Sequence, residues 1–234
     1  TVLIENQEIT AHLSGGFWAA VYPVTSSDNG SANYLIAYSD FAGNQGDNQT
    51  GPVIAQQITL DNTEPHLTLV EMSSDNDNNS YLAKSGDNIS LIIESSEILD
   101  NQSTSVSIRG SAASLISENG THWEFRRQMN SSDTEGPVSF LVNFADRSGN
   151  YGISSVNQTT DNRSVIFDRT RPTAAITYFD VASSSNVNGP FQTGQQLTIY
   201  ADFSESIRPQ PRLRVIMTKG TSMDVIMDRD NETG

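Results

Sequence analysis

The sequence predicts an all-β chain of tandem two-sheet sandwich domains, and three observations carry that prediction. The first is internal repetition: within 234 residues, the same phrases return about 107 residues later. Tyr38-Ser39-Asp40-Phe41-Ala42-Gly43-Asn44-Gln45-Gly46 returns as Phe144-Ala145-Asp146-Arg147-Ser148-Gly149-Asn150-Tyr151-Gly152. Leu60-Asp61-Asn62-Thr63-Glu64-Pro65 returns as Phe167-Asp168-Arg169-Thr170-Arg171-Pro172, and Ser95-Ser96-Glu97-Ile98 as Phe203-Ser204-Glu205-Ser206-Ile207. A period this long fits an array of complete small domains, because solenoid repeats run to about 20–50 residues. The second observation is apolar alternation at period two in short bursts, with no helical periodicity sustained over about 11 residues. The third is an abundance of Asn, Ser, Thr and Gly, the residues of tight turns.

The strands follow in order through one complete unit, residues 66–172. Leu67-Thr68-Leu69-Val70 opens it after Pro65, and Ile89-Ser90-Leu91-Ile92-Ile93 follows the polar stretch around Asp75–Ser80. Val106-Ser107-Ile108 and Ala113-Ser114-Leu115-Ile116 come next, then Trp123-Glu124-Phe125. The long burst Val138-Ser139-Phe140-Leu141-Val142-Asn143-Phe144 and the short Val165-Ile166-Phe167 close the unit. Such a count of short strands in a domain of about 100 residues is the pattern of a sandwich. Alternation turns Trp123, Phe125, Phe140, Val142, Leu91 and Ile93 inward as the expected core. Pro65 and Pro172 fall at unit boundaries, where a missing backbone donor does little harm.

The flanks align with parts of the same unit. Val2-Leu3-Ile4 matches Val106-Ser107-Ile108 and Trp18 matches Trp123, so residues 1–65 read as the C-terminal part of a repeat. Residues 173–234 read as the N-terminal part of a further one. No initiator Met, signal peptide or apolar run of spanning length is present, so the chain reads as a window on a longer protein without membrane insertion in this segment.

Composition narrows the partners. Asp and Glu number 28 against 13 Lys and Arg, a formal net charge of −15. Nucleic acid and anionic membranes need clustered Lys and Arg, so both are disfavoured; cations are favoured. Cysteine is absent. An extracellular array without disulfides needs another stiffener, and divalent metal at the joints is the usual one.

The repeated turn Asp-x-x-Gly-Asn, then Thr159-Thr160-Asp161, then the Asp-x-Thr-x-Pro junction and a Ser-Glu pair one strand into the next unit together carry a resemblance. The unit resembles the bacterial-type immunoglobulin-like tandem repeats of large extracellular surface proteins and adhesins. That resemblance covers the whole chain and implies immunoglobulin-like β-sandwich domains in an extracellular or cell-surface rod. Its partners would be neighbouring domains of the same protein, other copies in a filament, and a surface ligand that a sandwich alone does not name.

The acids at the joints are the candidate metal ligands. Asp61 and Asp168 each close a unit, Asp40 and Asp146 lie in the loop after a long strand, and Glu97 and Glu205 follow the second strand. Calcium takes six to eight oxygens from carboxylates, amides and carbonyls. The resemblance implies calcium between domains and carries that role to Asp40, Asp61, Asp146 and Asp168, with Glu97 and Glu205 added on position. A second reading needs no ion: Asp in such a turn bonds its own backbone, and Asp before Thr-x-Pro caps a bend. Asp75-Asn76-Asp77-Asn78-Asn79-Ser80 resembles half an EF-hand loop but lacks its glycine and closing glutamate, so a solvated loop is expected there.

Glycosylation sequons stand at Asn29, Asn48, Asn78, Asn88, Asn101, Asn119, Asn130, Asn157, Asn162 and Asn231. That is about twice what composition alone supplies, which keeps open a eukaryotic secreted glycoprotein with N-linked glycans as well as a bacterial one. Trp18 and Trp123 are expected in the core. His12, His66 and His122 are scattered, with no Cys and no His-x-x-x-His spacing, so no zinc site is expected; no nucleophile elbow or phosphate loop occurs, so no enzyme is expected. Two functions remain: a structural or adhesive extracellular stalk, hair or filament stiffened by calcium, or a carbohydrate- or protein-binding accessory module of a larger secreted enzyme.

Overall fold

A computed structural model describes residues 1–51, 58–152, 156–181, 197–207, 211–216 and 222–226. The chain divides into two compact units, Thr1–Arg169 and Thr170–Gly234, and the division falls inside the Asp168–Pro172 junction. All regular structure among the described residues is β.

The first unit begins with short strands: β1 (Val2–Ile4), β2 (Gln7–Ile9), β3 (His12–Ser14), β4 (Phe17–Ala19), β5 (Gly30–Ser31), β6 (Tyr34–Ile36), β7 (Gln49–Thr50) and β8 (Thr59–Leu60). Beyond Pro65 come β9 (Leu67–Ser74), β10 (Leu82–Ala83), β11 (Asn88–Ser95), β12 (Ser105–Ile108), β13 (Ser111–Ala112) and β14 (Ser114–Asn119). β15 (His122–Gln128), β16 (Gly136–Pro137), β17 (Phe140–Asn143) and β18 (Ile166–Phe167) complete the unit.

Residues 66–169 build three sheets around one core. The largest has the order β14-β15-β11-β9, all antiparallel. A second is β13-β12-β17, and in the third β18 lies between β16 and a parallel β10. Alternation decides what is inside: along β11, Ile89, Leu91, Ile93 and Ser95 are buried while their neighbours are not. Trp123, Phe125, Phe140, Val142, Leu91 and Ile93 all lie in the core, joined by Val70, Ile108, Leu99, Val165 and Phe167. Trp123 stacks on Phe125 with ring centroids 6.2 Å apart, and its indole N–H donates to the Gly120 carbonyl at 3.0 Å. The Ala113–Ile116 burst differs from the rest: Leu115 and Ile116 are exposed, because β14 is the outer strand of its sheet.

The described residues of 1–65 repeat part of the same pairings. β1 pairs β2 and β6 as β12 pairs β13 and β17; β3 pairs β4 as β14 pairs β15; β5 pairs β8 as β16 pairs β18. Among the described residues 1–65, nothing corresponds to β9, β10 or β11. That corrects the expectation for Trp18, which is 74% exposed while Trp123 is fully buried. The strand that would lie against β4, as β11 lies against β15, is not among these residues.

The second unit contains β19 (Ala174–Val181) paired antiparallel with β20 (Leu197–Phe203), and β21 (Arg212–Ile216) paired with β22 (Ser222–Ile226).

Candidate metal centre

The Asp-x-x-Gly-Asn turn is built twice with the same bonds. Asp146 accepts from the Asn150 backbone N–H at 2.8 Å and from Asn150 Nδ2 at 2.7 Å, and its own N–H donates to the Asn150 carbonyl at 3.0 Å. Asp40 and Asn44 reproduce these contacts at 2.8, 2.7 and 3.0 Å. The turn closes through a bridge, Ala145 with Tyr151 in one copy and Ser39 with Gln45 in the other. The glycine that ends each turn lies close against an aromatic ring. A Cβ on Gly152 would stand 2.3 Å from the Phe144 ring, and one on Gly46 2.1 Å from the Tyr38 ring.

The two copies differ in setting. Asp40 is exposed, and its carboxyl is held below the usual range by the Asn44 side-chain and backbone N–H groups. Asp146 is only 2% exposed. A bridge to Leu99 fixes it beside the segment that leaves β11, where Glu97 lies. Glu97 is held in turn by local bonds: Ser95 Oγ donates to its carbonyl at 2.6 Å, and the Ser96 N–H reaches the His66 carbonyl at 2.9 Å.

Asp61 arrives from the other side of the Thr-Pro junction. Ser148 Oγ donates to its Oδ2 at 2.9 Å, Asn150 Nδ2 donates to its carbonyl at 3.1 Å, and the Thr63 N–H donates to its Oδ1 at 3.1 Å. Oxygen atoms from Asp61, Glu97 and Asp146 all lie within 4.8 Å of one another. One acid belongs to residues 1–65 and two belong to the following repeat. Burial first, then the charges of Asp61 and Asp146, push the Glu97 carboxyl above its ordinary value of 4.5; His66 partly offsets them. Ion pairs are formed by other acids, among them Asp87, Glu94, Glu124, Asp133 and Asp161.

Of the six acids singled out by position, three therefore converge. Asp40 stays with its turn. Asp168 follows β18 and donates its N–H to the Ala83 carbonyl at 2.8 Å. Glu205 belongs to the second unit, where its Oε1 is buried without a hydrogen bond among the described residues. Ser148 was not among the sequence candidates. Its signal lay in the repeat itself, where Ala42 occupies the equivalent turn position and Ser148 adds a hydroxyl.

The loop resembling an EF-hand uses its polar groups on itself. Asn88 donates to both carboxylate oxygens of Asp75 at 2.7 Å, and Asn76 Nδ2 donates to Asp87 Oδ2 at 2.6 Å. Among the sequons, Asn29, Asn48, Asn78, Asn101, Asn119, Asn130, Asn157 and Asn162 are exposed, whereas Asn88 is half-buried at the start of β11. Asn231 lies outside the described residues. No helix among the described residues is long and apolar enough to cross a membrane. Comparison with known protein families, with characterised proteins and with solved structures finds no match.

Proposed function

We propose that the chain is a stretch of tandem immunoglobulin-like sandwiches serving as a structural spacer in an extracellular stalk or filament. Asp61, Glu97 and Asp146 would hold a divalent cation that stiffens the junction between repeats. The observation that carries this reading is the convergence of carboxylates from both sides of one junction. Three acids this close repel one another and require either protons or a cation. An all-oxygen donor set selects a hard ion, calcium or magnesium, over zinc. Asn150 and Ser148 orient Asp146 and Asp61 as outer-shell hydrogen-bond donors, which fixes the ligand geometry. A cation here would link the segment ending at Asp61 to the turn and strand of the next repeat, and so restrict bending at Thr63–Pro65.

The test is thermal melting and small-angle scattering of the chain in millimolar calcium and in excess chelator. Cation binding to the folded state should raise the melting temperature by mass action and narrow the range of interdomain angles. Identical melting and scattering in both conditions would leave the three acids with turn chemistry alone.

A further inference from the structure

We propose that Asn119, at the tip of the β14–β15 hairpin, is a site of spontaneous deamidation through a cyclic imide with Gly120, and that the change loosens the segment carrying Glu97. The inference rests on the hairpin and its contacts, and depends neither on a cation nor on an extracellular setting.

Asn is followed by Gly three times in the sequence, at Asn29-Gly30, Asn119-Gly120 and Asn188-Gly189, and the last pair lies outside the described residues. Imide formation brings the asparagine amide carbon onto the backbone nitrogen of the next residue, and glycine there has no side chain to block the approach. Asn29 is held against this motion. Its Oδ1 accepts from the Asn62 N–H at 2.8 Å and from Thr63 Oγ1 at 3.3 Å, and Gly30 is fixed in β5 in register with Leu60. Asn119 is exposed and stands opposite His122, so Gly120 and Thr121 form the loop between β14 and β15. Gly120 has a φ of +64°, the left-handed conformation that glycine supplies at the first position of a tight hairpin loop. Its N–H points at Glu118 Oε2 at 3.4 Å, which sets a carboxylate beside the proton that must leave.

In the first step the Gly120 N–H proton passes to the Glu118 carboxylate as the nitrogen attacks Asn119 Cγ. The new N–Cγ bond forms, the Cγ–Nδ2 bond breaks, and the proton leaves with Nδ2 as ammonia. Water then opens the imide at one carbonyl or the other, giving aspartate or isoaspartate; neither step needs an oxidant or reductant. Isoaspartate routes the backbone through Cβ and so lengthens it by a methylene just before Gly120. The Gly120 carbonyl accepts from the buried Trp123 indole at 3.0 Å and from the Leu99 N–H at 3.3 Å. The Thr121 carbonyl accepts from Ser95 N–H at 2.9 Å and from Ser95 Oγ at 3.3 Å. These bonds fasten both ends of the segment that contains Glu97. Displacing the two carbonyls strips buried donors of their acceptors, which is costly, and frees that segment.

A glycan on Asn119 would block the reaction, so the test uses full chain made in a host that adds none, incubated in chelator at mildly alkaline pH. Peptide mapping by mass spectrometry follows each asparagine, and hydrogen exchange is read on the same samples. Aspartate and isoaspartate should accumulate at Asn119 well ahead of Asn29. Glu118→Gln should slow the reaction severalfold, short of the about 10²-fold that a well-aligned general base supplies. In the isoaspartate fraction the Ser95 and Leu99 amides should exchange faster than in unmodified chain, and Asn119→Gln should keep them slow through the same incubation. Modification at Asn119 no faster than at Asn29 overturns the site. A rate that Glu118→Gln leaves unchanged overturns the part given to the carboxylate, and unchanged exchange at Ser95 and Leu99 in the isoaspartate fraction overturns the loosening.

Discussion

Glu97 is the residue at which the account of the junction is most exposed to test, because its neighbours act on it in opposite senses with and without a cation. In chelator, its ionised form suffers burial and the charges of Asp61 and Asp146. Glu97→Gln keeps the shape and removes the repulsion. Its melting temperature in chelator should exceed that of the parent by roughly 2–4 °C for each kcal/mol relieved. In calcium the order should reverse, since the variant has lost a ligand. Acidity gives a second reading of the same group. A carboxyl raised in the folded state stabilises the fold when protonated, so this contribution is full below about pH 4.5 and is lost as pH rises through the folded value. Asp40 works the other way: its depressed carboxyl contributes above pH 3.8, and that is lost as pH falls through the lower folded value. Urea midpoints in chelator should therefore decline as pH rises above 4.5, and Glu97→Gln should flatten that decline. A parent and variant with parallel profiles would contradict the assignment.

The glycines that end the two turns make another pair. Gly152→Ala forces a methyl into the buried Phe144 ring and should cost about 1–3 kcal/mol, as overpacking does. Gly46→Ala meets Tyr38, which is half exposed and free to swing aside, so the cost should be clearly smaller. Denaturant midpoints of the two variants compare them directly; equal losses would mean that the rings do not decide.

At the level of elements, β15 and β4 carry the same tryptophan in different surroundings. Trp123→Ala removes a fully buried, stacked ring and should cost about 3–5 kcal/mol. Trp18→Ala should change the stability of the monomer by less than about 0.5 kcal/mol, as exposed positions do. Urea unfolding at low protein concentration measures both, and a large loss at Trp18 would mean that its face is covered within one chain. The contrast also marks what was legible in the sequence. Period-two alternation identified β11, β15 and β17 and their inward residues, because alternation is a property of the strand itself. It could not tell Trp18 from Trp123, nor show that Leu115 and Ile116 lie on an outer strand. Those depend on which strands stand alongside, and a residue pattern does not contain its neighbours.

For the whole molecule, the repeat was the most legible feature. The turn bonds of Asp40 recur at Asp146, and the fastening of His66 by Ser96 recurs at Thr173 and Ser204. The site was legible only in part. Position in the repeat drew attention to six acids equally, yet convergence needs residues from both sides of a junction. Among the described residues, Asp61, Glu97 and Asp146 meet that condition within one compact unit. Isothermal calorimetry with calcium measures the occupancy of this site directly. The parent chain should bind calcium at this site, and both Asp61→Asn, from one side of the junction, and Glu97→Gln, from the other, should lose one equivalent. Parent and variants with the same stoichiometry and affinity, or a parent that takes up no calcium at all, would contradict it.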